Sequence, residues 1–270
     1  MNDLNILYLN LVKKSLTCEL YEGMDGSVWS PGGFWQRLLL KMCVPSEVRL
    51  LRPVNPEARN EGRDWPYMAQ TMVGSKRLDN LQFCVEGILA DRVSGDLIET
   101  GVWRGGSAIF MRAILKAHEV SDRCVWVADS FQGLPQPDAG KYPMDVGDSH
   151  HQFENLAVSL EQVRANFQRY GLLDDQVRFL KGWFKDTLPS APIEKLAIIR
   201  LDGDMYESTM DGLINLYPKL SPGGFLIVDD YGAIPACKKA VHDYREQHHI
   251  REEIHPIDWT GVYWRRSAAS

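Results

Sequence analysis

The chain has no hydrophobic run approaching the roughly 18 residues that a membrane-spanning helix needs. Its first residues, MNDLNILYLNLVKKS, lack a basic leader and a small-residue cleavage site, so no secretory signal is expected. Excess positive charge is also missing. The formal net charge is −6 and the pI about 5.7, which argues against nucleic acid or an anionic membrane as the main partner. Cysteine is scarce: Cys18, Cys43, Cys84, Cys124 and Cys237 are scattered, odd in number and without a C-x-x-C pair. That excludes a zinc framework or a disulfide scaffold and fits a reducing cytoplasm. The sequence has no internal repeat and no low-complexity tract. It also lacks G-x-G-x-x-G, the dinucleotide fingerprint.

What is present is an ordinary globular composition, 44% hydrophobic over 270 residues, and a change of texture near residue 90. Before it, LNILYLNLVKKSL and Met68–Leu89 have apolar positions at helical spacing. Between them, residues 26–66 are irregular and rich in Trp, Gly and Pro. The aromatics Trp29, Phe34 and Trp35 in that stretch predict a packing surface and a dimer contact. After residue 90, short apolar strands alternate with helical patterns: DLIET, VWVAD, VRFLK, LAIIRLD and GGFLIVDD. EIHPID and GVYWRR read as a closing antiparallel pair. The expected fold is α/β: a doubly wound, mostly parallel seven-stranded sheet with a helical N-terminal region. The expected division is residues 1–90 as a cover and 91–270 as the ligand-binding domain.

The informative feature is where the strands end. Runs apolar on both faces belong in the middle of a parallel sheet, so Asp202, Asp204, Asp229 and Asp230 must emerge at its C-terminal edge. Open α/β sheets bind ligands at that edge. Carboxylates that converge there repel one another unless protons or a hard cation compensate. Helix caps and solvated loop acids are the structural alternative. In ETGVWRGGS, a strand ends at Glu99 and a glycine-bearing turn enters a helix. The turn permits close ligand approach, and the acid suits a ligand with an ammonium group, such as the methionine moiety of S-adenosylmethionine. Asp129, ending the next strand, stands where nucleoside-binding α/β folds place a ribose-binding acid; it could equally be an N-cap. Gly182 and Trp183, ending the third, offer an aromatic wall for adenine or simply core.

The stretches TMVGSKRL, LIETGVWRGG, VWVADSFQGLP, LDGDMYESTM, LSPGGFLIVDDY and GVYWRR occur in the order and spacing of one family. From about residue 64 onward the chain resembles the macrocin-type O-methyltransferases, which methylate sugar hydroxyls of antibiotics and other secondary metabolites. Segment 26–60 departs from that resemblance, being longer and more aromatic. The resemblance implies S-adenosylmethionine and Mg²⁺, with Mn²⁺ as an alternative, and a small glycosylated acceptor. It implies Asp202, Asp229 and Asp230 as metal ligands and Asp204 as general base. Cofactor contacts are implied for Thr71, Met72, Gly74, Glu99, Thr100, Gly101, Ser107, Asp129, Ser130, Gly182 and Trp183, with His150 and His151 bordering the acceptor.

Two other readings stay open on the sequence. A hydrophobic strand ending in Asp202-x-Asp204 is also how many metal-dependent glycosyltransferases hold a nucleotide sugar, although ETGVWRGG and a second Asp pair have no place there. A non-catalytic cofactor-binding protein would use the acids structurally. Asp204 could cap the helix after it rather than act as base.

Overall fold

The computed structural model describes residues 2–21, 23–29, 32–45, 48–138 and 140–267. Helix α1 (Asp3–Leu16) is followed by strand β1 (Gly26–Val28), α2 (Phe34–Cys43), β2 (Leu51–Pro53), α3 (Pro56–Asn60) and α4 (Ser75–Ala90). The α/β part then runs β3 (Asp96–Thr100), α5 (Gly106–Ala117), β4 (Val125–Asp129), α6 (Leu160–Arg169), β5 (Val177–Lys181), α7 (Phe184–Thr187), β6 (Leu196–Leu201), α8 (Tyr206–Leu216), β7 (Leu220–Val228), α9 (Pro235–Gln247), β8 (His255–Pro256) and β9 (Val262–Arg265).

Seven strands form one sheet in the order β5-β4-β3-β6-β7-β9-β8. The first five are parallel; β9 pairs antiparallel with both β7 and β8, the closing pair expected from the sequence. Strand residues alternate between two cores. Leu97, Val127 and Ile227 face one layer with α1, α4, α5 and α6. Ile98, Ala128 and Leu226 face the other with α8 and α9. The strand order reverses between β3 and β6, and a crevice opens at such a reversal.

The N-terminal stretch is more ordered than its composition suggested. Within 26–66 lie the antiparallel pair β1–β2 and two helices. The expected packing of its aromatics is only partly met: Trp29 is half-buried, but α2 buries no residue and leaves Phe34 and Trp35 about three-quarters exposed, at 74% and 73%. The helical pattern expected from Met68 begins at Ser75, because Gly74 is the N-cap and the preceding carbonyls bind side chains instead of a helix. Among the described residues no helix is long and apolar enough to cross a membrane.

Candidate active site

Register builds the site. Thr100 pairs with Ala128 on one side and Leu201 on the other, and Leu201 pairs with Val228. One residue further, Asp129, Gly101, Asp202 and Asp229 form a row across four parallel strands. The row is fixed by the backbone bonds Gly101 N–H to Ala128 O, Asp202 N–H to Thr100 O and Asp229 N–H to Leu201 O, each 2.9 Å. Gly101 is required there: φ is +80°, and a Cβ would lie 1.6 Å from the Asp202 carbonyl oxygen. The row edges a cavity of about 420 Å³, within the usual range for small-molecule sites.

Thr71, Met72, Glu99, Gly101, Ser107, Asp129, Ser130, Trp183, Asp202, Asp204, Asp229, Asp230 and His150 all line it. Gly74, Thr100 and Gly182, expected as cofactor contacts, are not among the lining residues: Gly74 precedes α4, Thr100 is buried in β3, and Gly182 follows β5. His151 is half-buried, and its Nδ1 has no partner.

Asp202, Asp229 and Asp230 each offer an oxygen within 4.8 Å of the others. The chain bends at Asp229–Asp230 where β7 ends, which lets these neighbours share a site. Two arginines that the acidic strand ends do not reveal organise the group. Arg200, inside β6 and 2% exposed, bonds Glu99 Oε1 at 2.6 Å, Asp202 Oδ2 at 2.7 Å and Asp229 Oδ1. Arg77, on α4, bonds Asp229 Oδ2 and pairs with the buried Asp258 at 2.9 Å. An arginine in the run LAIIRL was the available signal, because a buried guanidinium demands carboxylate partners.

Four carboxylates (Glu99, Asp202, Asp229 and Asp258) thus pair with two guanidiniums, and Asp204 and Asp230 crowd against the same acids. Burial, reinforced by the neighbouring acids, raises Asp202, raises Asp230 well above the usual carboxylate range, and pushes Asp204 up to about 7. Negative charge this concentrated suits a divalent cation held by oxygen ligands.

At the other end, burial pushes Glu99 up to about 8 against the pull of Arg200. Glu99 lines the cavity, and its buried Oε2 has no hydrogen-bond partner. Asp129, raised by burial, accepts the N–H of Val102 through Oδ2 and that of Phe131 through Oδ1, both at 2.7 Å. It caps turns, not a helix, and Ser130 Oγ also lies within 3.5 Å of Oδ1 as a donor. Trp103, Phe131 and Asp204 adopt left-handed backbone conformations, with φ of 48°, 57° and 57°; strained non-glycine residues of this kind gather at functional sites.

Asp204 does not cap α8. The N-cap is Met205, without a side-chain bond, and the cap comes from Asp145, whose oxygens accept Tyr206 N–H at 2.7 Å and Glu207 N–H at 3.0 Å. The same loop carries His150, whose Nδ1 lies 2.8 Å from Asp148 Oδ2. Burial lowers the imidazole pKa, but the bond and charge of Asp148, aided by Asp204, hold it above its ordinary value.

The model of the family described as Macrocin-O-methyltransferase (TylF) matches residues 5–266, including the N-terminal region that the motifs left out. The 8-demethyl-8-(2,3-dimethoxy-alpha-L-rhamnosyl)-tetracenomycin-C 4'-O-methyltransferase of Streptomyces olivaceus is 57% identical over 269 residues, covering 99% of this chain and 95% of that protein. The mycinamicin III 3''-O-methyltransferase of Micromonospora griseorubida is 61% identical over 215 residues, 78% of this chain and 84% of that protein. The solved O-methyltransferase NovP superposes with a TM-score of 0.87 at 51% identity, over 98% of this chain and all of that one. A methyltransferase of this fold implies S-adenosylmethionine as donor. The chain belongs to the macrocin O-methyltransferase family.

Proposed function

We propose that the chain transfers a methyl group from S-adenosylmethionine to a sugar hydroxyl of a glycosylated secondary metabolite, with a divalent cation, Mg²⁺ or Mn²⁺, held by Asp202, Asp229 and Asp230. The relatives act at the 4'-oxygen of a rhamnosyl tetracenomycin and the 3''-oxygen of mycinamicin III, which supports a sugar acceptor. The observation that carries the reading is the row Asp129–Gly101–Asp202–Asp229. It brings these residues side by side on adjacent strands, which supports reading the edge as ribose, methionine and cation positions.

In this reading Glu99 Oε2 accepts from the cofactor ammonium, Asp129 from the ribose hydroxyls, and Trp183 walls the adenine. Thr71, Met72, Ser107 and Ser130 complete that end of the cavity. Arg200 and Arg77 fix the orientation of Asp202 and Asp229. A bound cation would orient adjacent acceptor hydroxyls and acidify the one that reacts. Asp204, freed from capping and raised by burial, takes the hydroxyl proton as the oxygen–methyl bond forms and the sulfur–methyl bond breaks. Residues 1–90 serve as the cover, and the outward Phe34 and Trp35 of α2 support a dimer contact there. A glycosyltransferase or a non-catalytic binding protein has no support in the family assignment.

Calorimetry tests the two binding functions separately. S-adenosylhomocysteine should bind and UDP should not. Asp202→Ala should lose Mn²⁺ binding while keeping S-adenosylhomocysteine within a few-fold. A wild-type protein that binds UDP in preference to S-adenosylhomocysteine overturns the reading.

A further inference from the structure

Between Arg63 and Gly74 the chain forms neither helix nor strand, yet its carbonyls are occupied. Two arginines from outside the segment take five of them. Arg104 Nη1 donates to Tyr67 O and Ala69 O, both at 2.7 Å. Arg59 donates to Asp64 O, Met72 O and Thr71 O, each at 3.2 Å, while its Nε holds Thr17 O at 2.9 Å. Arg59 is 2% exposed, and among the described residues it forms no ion pair. A buried guanidinium spent on carbonyls alone is costly, and it persists where it defines one backbone path.

That path crosses the cofactor end of the cavity. Trp65, Thr71, Met72 and Val73 line the cavity from this segment. Arg104 comes from the glycine turn between β3 and α5, where it stacks 4.2 Å from the centre of the Trp103 ring. The contact is close: a Cβ on Gly106 would lie 2.5 Å from Gln70 O and 2.6 Å from Thr71 Cβ. The segment therefore rests directly on the first turn of α5.

We propose that Arg104 and Arg59 are positioning residues for S-adenosylmethionine: they latch residues 64–74 as a strap across the cofactor end of the cavity, and the strap sets how long the cofactor stays. The inference rests on the cofactor reading above. Arg59 anchors the strap to the end of α1 and to α3, and Arg104 joins it to the turn beneath the cofactor. Loosening the strap should act mainly on release, where most changes of affinity within one site appear.

Stopped-flow tryptophan fluorescence can follow S-adenosylhomocysteine release from wild type, Arg104→Ala and Arg104→Lys, since Trp65 and Trp103 line the cavity. Release from Arg104→Ala should be about tenfold faster or more, equivalent to about 1.4 kcal/mol per tenfold. Arg104→Lys should recover part of the loss, because both bonds leave a single nitrogen. Hydrogen exchange should rise at the amides of residues 67–72 and stay unchanged in β3. If Arg104→Ala does not fold, Arg104→Lys with slower release than wild type, or with exchange at 67–72 unchanged, overturns the strap. Release from folded Arg104→Ala within twofold of wild type also overturns it. Failure of the wild type itself to bind S-adenosylhomocysteine would sink the cofactor reading instead.

Discussion

The carboxylate of Asp145 accepts the backbone N–H of Tyr206 at 2.7 Å across 61 residues of chain, and with its second oxygen that of Glu207. The bond docks the loop that carries Asp148 and His150 onto the start of α8, two residues after Asp204. It satisfies the orphan donors of that helix from outside, so Asp204 needs no capping role.

Removing this cap should cost stability and loosen the acceptor side together. Asp145→Ala should lose about 0.5–2 kcal/mol of unfolding free energy, and Asp145→Asn, with one acceptor oxygen, should recover part of it. Urea denaturation checks this. A loss for Asp145→Ala below about 0.5 kcal/mol, the span of featureless surface sites, would deny the cap its role.

Cofactor affinity should depend on the two acids at the other end of the row. Glu99→Gln and Asp129→Asn should each weaken S-adenosylhomocysteine binding by about 1.5–3 kcal/mol, as for hydrogen bonds involving a charged group. Calorimetry on both variants is sufficient. Affinity unchanged in both would move the methionine and ribose elsewhere.

For Asp204→Asn, kcat should fall by roughly 10²–10⁴, the span of a general base, while Mn²⁺ and S-adenosylhomocysteine affinities hold. Loss of cation binding in the same preparation would make Asp204 a ligand instead. A kcat within about threefold of wild type, well short of that span, would shift the proton to His150.

What the sequence made legible was the sheet and its acidic edge. β6 and the last residues of β7 are apolar on both faces, and Asp202 and Asp229 had to fall where those strands end. Arg77 and Asp145 were not legible, because their partners lie 152 and 61 residues away along the chain and local periodicity records no such pairing; Arg200 stands out in LAIIRL, but its bond to Glu99, 101 residues away, does not. Strands β1 and β2 are three residues each, too short to show a period of two. Residues 68–74 have helical apolar spacing but lose the helix to side-chain donors, Arg59 and Arg104, which compete for the same carbonyls.

Proton binding by the crowded acids gives a sign for pH dependence in the cation-free protein. Burial raises Glu99 to about 8, Asp204 to about 7 and Asp211 to about 6, all above unfolded carboxyl values. The folded state therefore holds more protons than the unfolded state, and stability should fall as pH rises from about 5 to about 8. The raised His150 acts in the same direction. With excess EDTA the melting temperature should drop across that range, and Mg²⁺ should restore most at the alkaline end, where protons no longer compete for the carboxylates. A flat or rising profile in EDTA would contradict the crowding.

The most direct measurement is methyl transfer from isotopically labelled S-adenosylmethionine to a panel of glycosylated antibiotics lacking a sugar O-methyl group, assayed with excess EDTA and again after Mg²⁺ is restored. Label should appear on the sugar fragment by mass spectrometry, vanish in EDTA and return with Mg²⁺, in keeping with the clustered oxygens of Asp202, Asp229 and Asp230. Undiminished turnover in EDTA, or label on the aglycone alone, would contradict the account.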